Sequence, residues 1–415
     1  MPNDVQLTTT WARHPLPAGV AQVAYLLIEA MPQAQAAATV APVNFGMVLD
    51  RSGSMDGAKI DSLKRAVVQV IESLRPEDTV SVVVFDETAD VIVPAQPATD
   101  KVSLNNRVES IRVQGGTAMS TGLELGLNEI RKGLAPDRNS HLLLLTDGQT
   151  WGDEDRCRQI AAELGQMGVR VTALGLGDEW NERLLDDIAD ATGGTSDYIA
   201  NPQDIGRYFQ RVAQAAHATT IRNGRLLIRL AEGVTPRAVY RVKPMIANLG
   251  YKPIGVGEIN VDLGDIQPDP GASVLVELML PAFGAGEHRV AQAELTYDVP
   301  SENRFDQRAR ADAPVRLTAN AAEVDLDPVT MNLVERVTAF KLQTRALDEA
   351  AAGNLAAATQ KLRSAATRLL DLGELELAET INRAADAAAQ GQMPTSADKK
   401  EMTYRTRRLT LKELM

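Results

Sequence analysis

In VLDRSGSMDG, residues 48–57, one carboxylate and two hydroxyls fall on alternate positions: Asp50, Ser52 and Ser54. Two distant stretches carry matching chemistry. GGTAMSTGLELGL sets Thr117 directly after a pair of glycines, and LLLLTDGQT sets Asp147 after an apolar run. Brought to one place, these five residues form an all-oxygen set without Cys or His, which suits a hard divalent cation. Magnesium takes six oxygens in near-octahedral order and keeps some waters; manganese or calcium are the alternatives. Hydroxyls are neutral ligands, so the ion stays attractive to an incoming carboxylate. Two carboxylates at one rim repel each other, and a cation removes that cost.

Such a convergence needs a scaffold. From 43 to about 217, apolar runs (VNFGMVL, TVSVVVF, ADVIVP, HLLLLT, VRVTALGLG) alternate with amphipathic segments such as AKIDSLKRAVVQVIESL and MSTGLELGLNEIRKGL. Near-continuous apolar strands between helices predict an α/β layer, a doubly wound, mostly parallel sheet covered on both faces. Ligands collect at the carboxyl ends of such strands, where the topology reverses. Asp50 and Asp147 both end strands, and Thr117 enters a helix, so all three stretches arrive at one rim. Residues 1–40 and 219–317 instead read as short strands divided by Gly, Pro and Asp turns, a sandwich pattern. The α/β domain, 41–218, is therefore expected as an insertion in one β-sandwich. An Ala- and Leu-rich helical bundle is expected over 322–392, punctuated by Gly353, Gly373 and Gly391, and a basic tail over 393–415 as a solvated terminus or a docking segment.

On these residues the chain resembles the von Willebrand factor A domain with its metal-ion-dependent adhesion site: Asp-x-Ser-x-Ser, a separate Thr after Gly-Gly, and a strand-ending Asp-Gly, in order over about 43–217. The resemblance implies Ser52, Ser54 and Thr117 as direct magnesium ligands and Asp50 and Asp147 as water-mediated ones. The sandwich interrupted by an A domain, with helices after it, is similar to bacterial calcium-activated chloride-channel-like proteins and to inter-α-trypsin inhibitor heavy chains. The resemblance also implies that ligand capture moves the Thr117 loop and the domain's last helix, DIGRYFQRVAQAAH.

Each piece has a plainer reading. Ser54 or Asp56 suits a helix N-cap, Thr117 a helix start, and Asp147 a turn. Asp86 and Asp90 read as hairpin residues, and Asp153, Glu154 and Asp155 mostly as an acidic first helical turn. Trp151, in a Gly-bounded loop by the rim, is a packing plug or a contact anchor. Met55 and Met119, in the other two rim loops, are candidate partner contacts or core. ALGLGDEW lacks the third glycine of a dinucleotide loop, with Trp180 in its place. The four histidines stand alone and read as structural.

The chain has 415 residues, 44% hydrophobic and 24% charged, with a net charge of −12. That charge argues against a general nucleic-acid binder. The single Cys157 excludes an internal disulfide. No signal peptide and no membrane span is read, which makes the cytoplasm the default. The function expected is a non-enzymatic, metal-dependent protein-binding module, an adaptor in a bacterial intracellular complex. Its partner supplies an Asp or Glu to the metal; by resemblance, an AAA+ ATPase or a kinase/phosphatase module is a further partner class. The alternatives are a magnesium-dependent phosphate hydrolase and an assembly scaffold whose metal is structural.

Overall fold

The computed structural model describes residues 4–33, 41–250, 252–255 and 257–411. Parts of the expected flank and tail, 1–3, 34–40 and 412–415, lie outside the described residues. The chain divides into two compact units, one of 37–222 with 299–305 and one of the remaining residues.

The chain opens with β1 (Val5–Trp11), β2 (Arg13–His14), β3 (Leu16–Pro17) and β4 (Gln22–Pro32). It then enters the α/β layer: β5 (Val43–Asp50), α1 (Ala58–Ser73), β6 (Thr79–Phe85), β7 (Ala89–Pro97), α2 (Lys101–Glu109), α3 (Met119–Lys132), β8 (Asn139–Thr146), α4 (Glu154–Gln166), β9 (Arg170–Leu176), α5 (Glu182–Thr192), β10 (Thr195–Ile199) and α6 (Ile205–Ala218). The six strands stand in the order β10-β9-β8-β5-β6-β7. All neighbours are parallel except β7, an antiparallel edge on β6. After β5 the chain builds outward through β6, then returns to place β8 on the other side of β5. The topology reverses between these two strands, and their carboxyl ends carry Asp50 and, one residue beyond β8, Asp147.

Every residue of β5 is buried. Val43, Phe45, Met47 and Leu49 point to one face and pack with Leu63, Val67 and Val70 of α1 and with Phe209 and Val212 of α6. Each such side chain, once buried, contributes roughly 1.5–3 kcal/mol. On the opposite face α3 comes close to the sheet. A Cβ on its Gly126 would lie 2.4 Å from Val48 Cγ2, and one on Gly122 2.6 Å from Phe85 Cδ1. The two glycines, one helical turn apart, let α3 settle against β5 and β6 and so fix the loop that precedes it.

At the amino end of the sheet Asp78 gathers three elements. Its carboxylate accepts from Val43 N (2.8 Å), Arg75 N (2.7 Å) and His217 Nε2 (2.8 Å), and its side chain is 0% exposed. Burial alone pushes this carboxyl up, but the His217, Val43 and Arg75 hydrogen bonds outweigh it and hold the pKa at about 2, against an ordinary 3.8. A depressed folded-state pKa stabilises above the unfolded value and is lost as pH falls through the folded one. Asp78→Asn is therefore expected to cost about 2–3 kcal/mol at pH 7. Urea titrations of the two proteins should converge as pH drops from about 4 toward 2; a gap that persists at pH 2 refutes the assignment.

The second unit continues with β11 (Ile221–Leu230), β12 (Thr235–Lys243), β13 (Ala247–Asn248), β14 (Lys252–Gly255), β15 (Glu258–Ile266), β16 (Ala272–Leu280), β17 (Gly286–Val299), β18 (Arg304–Thr318) and β19 (Asp325–Leu326). Its two larger sheets, β1-β4-β16-β12-β13 and β14-β15-β11-β17-β18-β3, each mix strands from before and after the α/β layer. This is the interrupted β-sandwich. Trp11 Nε1 donates to Pro314 O (2.9 Å), linking the two sheets. Helices α7 (Pro328–Ala351), α8 (Leu355–Asp371), α9 (Leu375–Ala389) and α10 (Ser396–Arg407) follow. Leu333, Val337 and Phe340 of α7 share a core with Leu27, Tyr240 and Leu275 of the sandwich.

The structure corrects one expectation here. The described part of the tail is not a solvated terminus. It forms α10, opened by a capping box at Thr395 and Asp398, with Met402 and Tyr404 buried and Arg407 O accepting from Ile246 N (2.8 Å). A 3-10 turn, Pro202–Asp204, precedes α6.

Candidate metal centre

Asp50 closes β5 and is 0% exposed. Ser52 N donates to its Oδ1 (2.8 Å), the bond that turns the chain out of the strand, and the Thr146 hydroxyl donates to its Oδ2 (2.6 Å). The next residues form a 3-10 turn, Gly53–Met55, whose Met55 is fully buried and pins the loop to the core. Gly57 then takes φ +73°, a conformation open to glycine at little cost, and α1 begins. Ser52 Oγ and Ser54 Oγ lie 3.1 Å apart. The Ser54 hydroxyl donates to Asp147 Oδ1 (2.6 Å), and Lys59 Nζ, in the first turn of α1, donates to Asp147 Oδ2 (2.5 Å).

The Thr117 loop is held to this turn by Gln114 N to Arg51 O (2.9 Å) and Gly53 N to Gly115 O (3.0 Å), and to the β6–β7 hairpin by Ala118 N to Asp86 O (2.6 Å). Thr117 meets the serines at Gly148. A Cβ built there would stand 3.4 Å from Thr117 Oγ1 and 3.9 Å from Ser54 Oγ. The glycine thus leaves a small cradle walled by hydroxyls from two loops and backed by the buried Asp147.

The helix-cap readings of Ser54, Asp56 and Thr117 do not hold. The N-cap of α1 is Gly57 and that of α3 is Ala118, and neither helix has a side-chain cap. Ser54 and Asp147 bond each other across the rim instead. Burial pushes the Asp50 carboxyl up to about 6, restrained by the hydrogen bonds from Ser52 and Thr146 and raised further by the Asp147 charge. Two buried carboxylates whose own oxygens already hold protein donors, facing a cluster of hydroxyls, are a donor set that fits a hard dication. Among the described residues no group of three or more His, Cys, Asp or Glu offers a different metal site.

Four residues at the rim carry no weight in the motif. Lys59 is the counter-charge of Asp147. Arg51, between Asp50 and Ser52, turns its guanidinium away to Asp86 (2.5 Å) and Asp90 (2.6 Å) of the β6–β7 hairpin. Thr150 is buried and accepts from Met119 N (3.2 Å), while Asp153 accepts from Ser120 N (2.8 Å), tying the loop after β8 to α3. A signal for Lys59 existed: a cation in a helix's first turn opposes the dipole and needs a partner.

Trp151 is 80% exposed, so it is not a packing plug. Met55 and Met119 are 0% and 1% exposed. They belong to the core and cannot touch a partner, which removes them from the candidate contacts. Trp180 is buried, and its indole donates to Gly177 O (2.6 Å), filling the turn that a dinucleotide would need open.

Residues 45–211 match the family profile described as the von Willebrand factor type A domain, and residues 328–412 the one described as Sll0103-like, C-terminal alpha-helical domain. The Synechocystis sp. protein sll0103 is 34% identical over 267 residues, covering 63% of this chain and 63% of that protein. Inter-alpha-trypsin inhibitor heavy chain H3 from Rattus norvegicus is 28% identical over 184 residues, covering 41% of this chain and 20% of that protein. In both cases the match spans less than two thirds of the relative's length. A solved structure, von Willebrand factor type A from Catenulispora acidiphila, has a TM-score of 0.76 at 20% identity and covers 98% of each chain, a likeness of fold.

Proposed function

The chain carries a von Willebrand factor type A domain, and from that premise we propose that it is a protein-binding module whose contact with its partner depends on a divalent cation. A magnesium ion bound at the rim would offer an open coordination position to an Asp or Glu of the partner. Ser52, Ser54 and Thr117 would give it their hydroxyl oxygens, and Asp50 and Asp147 would act through waters. The observation that carries this reading is the arrangement of the two carboxylates. Asp50 is engaged by Ser52 N and Thr146, and Asp147 by Ser54 and Lys59. Neither is placed as a free base or nucleophile, which favours binding over hydrolysis.

The adaptor role in a bacterial cytoplasm is part of the same reading. No helix among the described residues is long and apolar enough to cross a membrane. The chemistry of the site calls for an acid-bearing protein surface and gives no support to an AAA+ ATPase or a kinase/phosphatase module in particular. Thr117→Ala tests the proposal. Its side chain caps nothing, so the variant should keep its melting temperature without metal while magnesium affinity falls about tenfold or more and partner capture falls with it. Unchanged affinity in calorimetric titration sinks the reading.

A further inference from the structure

One charged side chain at the rim has no task in the site described. Glu87, at the tip of the β6–β7 hairpin, is exposed and lies across Gly115–Gly116, the two residues before Thr117. Its Oε1 is 3.4 Å from where a Cβ would stand on Gly116 and 3.6 Å from the same position on Gly115; its Cγ is 3.2 Å from both. A side chain at either glycine would push it aside. Glu87 forms no hydrogen bond or ion pair with another described residue. Beside it Asp86 and Asp90 are taken by Arg51. A negative charge therefore stands next to the loop that carries Thr117, with no ion pair to a described residue.

From the same rim rises Trp151, 80% exposed on a loop that Thr150 and Asp153 fasten to α3. A large exposed aromatic on an anchored loop loses little entropy on contact, which is the profile of an interface anchor. Its face also accepts a guanidinium or ammonium.

Resting on the metal reading above, we propose that Glu87 selects the partner: the surface that fits here carries an acidic residue flanked by lysine or arginine. An acid approaching this rim meets Glu87 as well as any cation held by the hydroxyls. A run of acids would be repelled by Glu87 and by a chain of net charge −12, whereas a basic neighbour pairs with Glu87 and can stack on Trp151. The acid fixes the contact point, and the flanking cation decides between acid-bearing partners.

The test uses the full chain, immobilised in millimolar magnesium chloride, and a bead library of peptides with a fixed central Asp and randomised neighbours. Wild type should enrich Lys and Arg beside the Asp about threefold, the effect of one partly exposed charge pair. Glu87→Gln should lose the bias, and Glu87→Lys should turn it toward acidic neighbours. Trp151→Ala should lower retention of all peptides. Identical flank preferences in wild type and both Glu87 variants overturn the inference, as does a wild type that retains nothing. If the bias needs magnesium and the central Asp but ignores Glu87, this inference alone fails. If it survives EDTA and a central Asn, the metal reading fails and the rim charge stands.

Discussion

Arg51→Met is expected to lower the free energy of unfolding by about 3–5 kcal/mol and magnesium affinity about tenfold or more. The guanidinium is 6% exposed and holds Asp86, 4% exposed, at 2.5 Å. Its second bond, to Asp90, ends on a side chain 60% exposed and contributes little. Removing Arg51 leaves a carboxylate buried against no counter-charge. Burial pushes the Asp86 carboxyl up, and it is only the hydrogen bonds from Thr88 and the Arg51 charge that bring it below its ordinary value. The effect on the metal comes through the backbone. Arg51 O and Asp86 O hold the two ends of the Thr117 loop, at Gln114 N and Ala118 N. Slackening the hairpin therefore displaces a hydroxyl that never touches Arg51. The pair Arg51→Met and Asp86→Asn separates the two effects. The double variant should recover most of the stability, since no charge is stranded, while its magnesium affinity stays low. Chemical denaturation and calorimetric titration read these independently. A single variant within about 1 kcal/mol of wild type would show that the ion pair is solvated rather than structural.

That hub was not legible in the sequence, and the reason is physical. Asp50, Ser52, Ser54, Thr117 and Asp147 could be picked out because each follows a strand or a glycine pair that sends it to the same end of the sheet. Strand ends are readable from apolar runs such as Val43–Leu49. Arg51 sits between two of these residues, yet nothing in its neighbourhood says that it turns away from them toward Asp86 and Asp90 in another element. A charged side chain in a loop is by default solvated, and only the fold shows which charges are not. The same ambiguity hid α10. Its charges suggested a dissolved tail, but Lys400, Met402 and Tyr404 are only 3%, 0% and 1% exposed. Strand β10, TSDYI, escaped because a short, half-polar strand at the sheet's edge has too little apolar signal to separate it from a turn. Met55 and Met119 show the opposite limit. Apolar residues in rim loops are as well suited to a partner as to a core, and their burial is decided by the packing of α1 and α3 beneath them.

Lys59→Met should change the centre in two opposite directions at once. Without divalent metal the variant should be less stable than wild type by about 2 kcal/mol; in magnesium it should bind about tenfold more tightly. Lys59 Nζ stands 2.5 Å from Asp147 Oδ2, with the Asp147 side chain 0% exposed and that of Lys59 32%. Among the described residues its ammonium is the cation paired with that carboxylate, and the Asp147 charge lies close enough to raise the Asp50 carboxyl. Removing the ammonium leaves two buried negative charges facing each other, which costs stability. The same ammonium repels a second cation brought to the neighbouring hydroxyls, so its removal raises affinity for one. Magnesium should then restore the variant's melting temperature to a greater degree than it raises that of wild type, by the ordinary linkage between ligand binding and folding. Lys59→Arg is the control: it keeps the charge and should leave both quantities near wild type. A variant that loses stability without gaining affinity would mean that Lys59 is a strut of the α1 turn. One that gains neither would mean that the ammonium and Asp147 do not meet in solution. Only the paired, opposite-signed result requires a lysine that holds the place of a cation at this rim.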